Sequence, residues 1–88
     1  MNVKKEFDEI TESLKQQRGE IQLQIHLASM EAKQEWKKAE KDWGIFVDGL
    51  GVITDESKET GAELIHATKV ISDELKEAYK RISDRLKQ

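Results

Sequence analysis

Ile21-Gln22-Leu23-Gln24-Ile25-His26-Leu27 alternates strictly between apolar and polar residues, and the reading of this stretch decides the fold. Taken alone it has the period of a half-buried β-strand. Taken with its surroundings it belongs to a helix. The only conceivable strand partner, Val52 to Thr54, is too short for an independent sheet. On both sides of the stretch, Val3, Phe7, Ile10, Leu14, Ile21, Ile25, Ala28, Ala32, Trp36, Ala39, Trp43, Phe46 and Leu50 follow one another at helical spacing, with Arg18 the one interruption. At 3.6 residues per turn these positions share a sector roughly 80° wide, the single buried face of an amphipathic helix. Leu23, Leu27 and Met30 then fall opposite that face. This part of the helix is apolar on two sides, one for the interior and one for something else.

Several core positions recur at eleven-residue intervals, as in Ile10, Ile21, Ala32 and Trp43. That spacing favours nearly straight packing over a tight leucine zipper. A second stripe, Leu64, Thr68, Ile71, Leu75, Ala78, Ile82 and Leu86 flanked by Tyr79, keeps a heptad rhythm until its last step. Between the stripes Gly44, Gly49 and Gly51 loosen the chain, and Thr54 or Asp55 is placed to cap the next helix, with Asp55 and Glu56 favourable at its positive end. The expected architecture is a single all-α domain over residues 1–88, a long antiparallel, coiled-coil-like helical hairpin. One helix spans about 3–48, a turn about 49–53 and a second helix about 54–87. Gly61 then lies inside the second helix, unless that helix starts at Thr60 with Glu63 completing a capping box.

Unequal arms give a reason to associate. A turn near residue 51 leaves about a dozen residues of the first arm, some 18 Å of helix, beyond the end of the second. Phe7, Ile10 and Leu14 on that overhang would be wet in a monomer, and burying such side chains is worth about 1.5 to 3 kcal/mol each. A dimeric four-helix bundle covers them. The alternative is a three-helix bundle in which the chain breaks near Gly19, at Gln16-Gln17-Arg18-Gly19, and folds its first segment back.

Composition agrees with helices and narrows the chemistry. Charged residues make up 38% of the 88, there is no proline or cysteine, and the net charge is −3. A domain of this size buries only about 60 to 65% of its unfolded surface, so packing between helices or between copies has to supply the stability that disulfides cannot. Charges of both signs interleave, so no basic stripe exists for nucleic acid or an anionic membrane. The N-terminal Met1-Asn2-Val3-Lys4-Lys5 lacks a following apolar run, and a cytoplasmic location is the expectation.

Sites for small molecules are sparse. Glu63 and His66 have the Glu-x-x-His spacing of bundle di-iron sites, and Glu31 or Glu35 would lie roughly opposite in the hairpin register. Both side chains point well away from the Leu64 direction, which favours a solvated pair. Asp48 and Glu59 have the end-to-end spacing of a calcium loop, but Leu50, Val52 and Ile53 occupy its interior ligand and glycine positions. His26 and His66 are too far apart to share a metal, Gly49-Leu50-Gly51 lacks the context of a nucleotide loop, and no serine has an activating histidine at a suggestive setting. Trp36 and Trp43 sit on the core stripe beside Ala32 and Ala39, as core packing requires.

These observations lead to the expectation of a non-enzymatic interaction or assembly module without a cofactor. It would act by self-association, a dimer being favoured, or through a protein partner. The candidate interface residues are Phe7, Ile10, Leu14, Leu23, Leu27 and Met30. The alternatives are a metal-binding four-helix bundle using Glu63 and His66 and a reversible amphipathic binder of lipid surfaces.

Overall fold

The computed structural model describes residues 3–53 and 61–87. These form three α-helices, α1 (Val3–Gln24), α2 (Met30–Val52) and α3 (Ala62–Leu86), with a 3₁₀ turn at Ile25–Leu27 between the first two. The bundle is about 45 Å long and 16 to 18 Å across. Chain direction follows from the side chains that meet. Arg18 of α1 reaches Glu40 of α2 across the corner, so these two helices are antiparallel. Gly49 lies against Thr68 while Glu31 and Glu35 meet Arg85, so α3 is antiparallel to α2 and runs alongside α1.

The continuous helix expected over about 3–48 therefore breaks at residues 25–29. A break was foreseen near Gly19, but that glycine is inside α1, and the chain turns several residues later. Local hydrogen bonding accounts for the position. The Ala28 N–H donates to the Ile25 carbonyl and closes the 3₁₀ turn at 3.0 Å. Ser29 takes an extended conformation, φ −64° and ψ 163°, and its hydroxyl accepts from the Ala32 N–H at 3.2 Å. That is an N-cap, satisfying one of the donors an α-helix leaves orphaned at its start.

Folding back lets α1 spend its apolar stripe within one chain. Phe7, Leu14 and Ile21 are buried together with Ala39, Phe46, Ile53, Leu75, Tyr79 and Ile82 in one core, with Trp36, Trp43 and Leu50 packed against it. The overhang inferred from a matched hairpin does not exist in this arrangement. On α3 the buried set is Thr68, Ser72, Leu75, Tyr79 and Ile82, while Ile71 and Ala78 are half-buried. The buried face is rotated toward Ser72 and Tyr79 because α3 packs on two helices at once, not on the one partner of a hairpin. The Thr68 and Ser72 hydroxyls donate to the Leu64 and Lys69 carbonyls of their own helix, which makes their burial tolerable.

The connection to α3 also differs from the expected turn at 49–53. α2 stays helical through Val52, and Ile53 ends it with its N–H donating to the Gly49 carbonyl. The capping roles assigned to Thr54, Asp55 and Glu56, and the Thr60 start, lie outside the described residues. Gly61 is the N-cap of α3, with φ −68° and ψ 146°, and is not an interior residue. Gly49 has a packing reason instead of a turn reason. A Cβ there would stand 2.7 Å from the Thr68 Oγ1, so only glycine allows α2 and α3 to come this close.

Candidate interaction surface

The corner between α1 and α2 carries the most exposed large apolar side chains. Leu23, Leu27 and Met30 are 77%, 80% and 70% exposed. They are there because the core stripe lies on the other side of each helix. Ile21 and Ala32 point inward, and residues about half a turn from them point out. Ile45, Val47 and Val52 on α2 and Val70 on α3 are also exposed, but less fully. The corner trio stands apart by degree, since each of the three is at least 70% exposed and none of the others exceeds 57%.

Polar groups rim this corner. Beside it, Leu27, Ala28 and Ser29 share a shallow groove with Gln24 and with Arg85 and Leu86 from the end of α3. Arg85 reaches Glu31 at 2.9 Å and Glu35 at 3.3 Å, fixing the end of α3 against the start of α2. These pairs are largely solvent-facing and contribute orientation more than stability.

Of the six interface candidates, Leu23, Leu27 and Met30 are exposed at or next to the corner. Phe7 and Leu14 are in the core and Ile10 is half-buried against it. Glu63 and His66 are exposed near the start of α3. Glu31 and Glu35 are engaged at the opposite end by Arg85, so the register that would have placed them across from His66 is not the one adopted. Among the described residues no group of three or more His, Cys, Asp or Glu side chains is placed to hold a metal ion. His26, at the corner, and His66 occupy opposite ends of the bundle.

The interruption of the first stripe at Arg18 marks a feature that periodicity alone did not reveal. The Arg18 guanidinium donates to both carboxylate oxygens of Glu40, from Nε at 2.7 Å and from Nη2 at 2.8 Å, and lies 5.5 Å from the centre of the Trp43 ring. The Glu40 hydrogen bond holds the guanidinium pKa above its ordinary value, outweighing partial burial. Such a forked pair has a fixed geometry, and stacking on an indole adds to it. Tyr79 lies nearby, packed on Trp36 at 6.2 Å between ring centres. Burial, and secondarily the negative charge of Glu40, push its hydroxyl well above the usual phenol value. The Tyr79 hydroxyl and the Gln17 Oε1 are buried without a hydrogen-bond partner in the protein. The only available signal was an arginine standing where the stripe calls for an apolar residue.

No helix among the described residues is long and apolar enough to cross a membrane. Comparison with known proteins finds no matching family model, no matching curated protein and no matching solved structure.

Proposed function

We propose that this protein is a non-enzymatic helical interaction module that docks through the α1–α2 corner. The observation that carries this reading is the exposure of Leu23, Leu27 and Met30 on a bundle whose remaining large apolar side chains are mostly inside. Burying a leucine of this kind on a partner contributes about 1.5 to 3 kcal/mol, and a polar rim is the usual surround of such a patch. The dimeric assembly inferred from unequal hairpin arms loses that argument with the overhang, and self-association in this reading rests on the exposed corner instead. Lipid-surface binding draws less support, since the α1 stripe of Phe7, Leu14 and Ile21 faces inward and is not available to a bilayer.

The test is the solution mass of the natural chain and of a Leu23→Glu, Leu27→Glu double variant over a range of concentrations. Both positions are so exposed that the variant keeps its helical circular dichroism. The expected result is a mass that rises further with concentration for the natural chain than for the variant. Equal masses for the two proteins at every concentration would remove the corner as the docking surface.

A further inference from the structure

The core stripe passes through the corner without losing phase. Phe7, Leu14 and Ile21 on α1 and Ala32, Ala39 and Phe46 on α2 are separated by steps of seven and eleven residues, close to whole numbers of helical turns. Ile25 and Ala28, half-buried at the corner, would fall on the same line if the chain there were helical. Nothing in residues 25–29 forbids that. The segment holds no glycine or proline, and among the described residues none has a positive φ. Gln24 is already in the helical region, with φ −115° and ψ −13°. The reversal of direction rests on Ala28 and Ser29, whose ψ values of 164° and 163° are extended. Returning these two residues to helical ψ joins α1 and α2 into one rod.

We propose that the corner is an exchange hinge, and that the partner is a second copy of this chain, which receives α1 in place of its own. The proposal shares with the reading above only that the chain self-associates; it is a second mode of association that does not use Leu23, Leu27 or Met30. The register supports it. Ser29 stands midway between Arg18 and Glu40 in the sequence. Two straightened helices lying antiparallel about a two-fold axis at Ser29 bring Arg18 of one copy opposite Glu40 of the other. The forked pair that closes the single chain is thereby remade twice between chains. Phe7, Leu14 and Ile21 recover the same surroundings on the other copy.

Exchange conserves the contacts of the closed form, which makes it a low-cost route to a dimer. It gains a crossing at the axis, where Ile25, Ala28 and Ala32 face the second copy and the small alanines let the helices approach. It gives up the Ser29 cap on Ala32. Leu23, Leu27 and Met30 remain on the outer face in both forms, so outer-corner docking and exchange are separable.

The experiment uses full-length chains carrying Arg18→Glu or Glu40→Arg, each unfolded, refolded alone or as an equal mixture at high concentration, and weighed by native mass spectrometry. Each variant alone sets like charges against each other in both forms. Only an exchanged dimer of one copy of each variant restores both pairs. The natural chain is expected to yield a species of twice 10.2 kDa, and the mixture a mixed dimer about tenfold in excess of either like dimer. A second variant, Met30→Pro, is expected to remove the doubled mass while keeping a folded monomer, whereas Met30→Ala, which removes the same exposed side chain without stopping the rod, is expected to keep the doubled mass. Proline is accepted at the first position of a helix, Ser29 is already extended as a residue before proline must be, and a proline inside a continuous rod breaks it. A doubled mass that survives Met30→Pro, or a mixed dimer present only at its statistical share, overturns exchange while leaving outer-corner association standing. A mass of 10.2 kDa for the natural chain under all these conditions overturns both.

Discussion

The two seams of this bundle are built differently. Between α2 and α3 the Thr68 side chain lies so close to Gly49 that a methyl group there would not fit, and Phe46, Leu75 and Ile82 are fully enclosed. α1 meets α2 mainly through the Arg18–Glu40 fork, with Trp43 under the guanidinium, while its apolar residues Phe7, Leu14 and Ile21 are buried in the core it shares with α3. Steric fit of the first kind admits a single partner surface. A forked ion pair is satisfied by any correctly placed carboxylate. On the exchange proposed above, the α2–α3 pair is the part that stays together and α1 the part that is transferred.

The largest expected effect that would break this contrast comes from truncating the enclosed aromatic at the α2–α3 seam. Phe46→Ala should cost about 3 to 5 kcal/mol, a large share of the roughly 5 to 15 kcal/mol typical of a domain, and abolish or sharply weaken the cooperative urea transition. Phe7→Ala, near the start of α1, should cost less and leave amide protection in α2 and α3 largely intact by hydrogen exchange. Equal costs, with protection lost everywhere, would show that α1 is as integral as the other two helices.

A smaller effect sharpens the steric half of the comparison. Replacing an exposed helical glycine by alanine is favourable by about 0.5 to 1 kcal/mol, but at Gly49 the new Cβ meets the Thr68 hydroxyl, and overpacking should reverse the sign, leaving Gly49→Ala less stable by about 1 to 2 kcal/mol. Adding Thr68→Ala should recover most of that loss in a double-mutant cycle from urea midpoints. Additive losses would place the constraint somewhere other than this contact.

The smallest effect at neutral pH belongs to Tyr79. Its buried hydroxyl has no partner to lose, so Tyr79→Phe should be neutral to stabilising near pH 7, by about 0 to 1 kcal/mol, as the desolvation cost of the unpaired hydroxyl is removed. The difference grows with alkali. The unfolded phenol ionises near pH 10 while the folded one, raised by burial, keeps its proton. The stabilising contribution is therefore complete below about pH 10 and falls as pH rises toward the folded value. Urea midpoints at about pH 8 and about pH 11 should diverge for the natural chain more than for the variant, and parallel behaviour would mean that Tyr79 is hydrated in the folded protein.

Helix content and the inward face were legible from residue spacing alone. Phe7, Leu14, Ile21, Ala32, Ala39 and Phe46 all lie on the stripe and all are buried. The corner was not, because that same stripe continues through it in phase and neither proline nor glycine marks it. Its traces were faint: the alternation from Ile21 to Leu27, which ends in the 3₁₀ turn, and Ser29 placed to cap Ala32. Periodicity reports which side of a helix is apolar and is silent on whether that side meets its own chain or another. The outward trio Leu23, Leu27 and Met30 was visible because it breaks the one-faced pattern. By contrast, Phe7 and Leu14 look uncovered only in a two-helix hairpin turning near residue 51, whose second arm is too short to reach them. Tyr79 and Ser72 entered the core through a rotation of α3 that only the third helix imposes.

The aromatic residues give each seam its own intrinsic optical signal. Trp43 carries the guanidinium of Arg18 from α1 on its ring, so its emission responds to whether that helix is in place. Trp36 stands 6.2 Å from Tyr79 of α3, within easy reach of energy transfer from the phenol. With no other tryptophan in the chain, substituting either indole leaves a single-colour observer of one helix, and the order in which the two helices let go can be watched without attaching a dye.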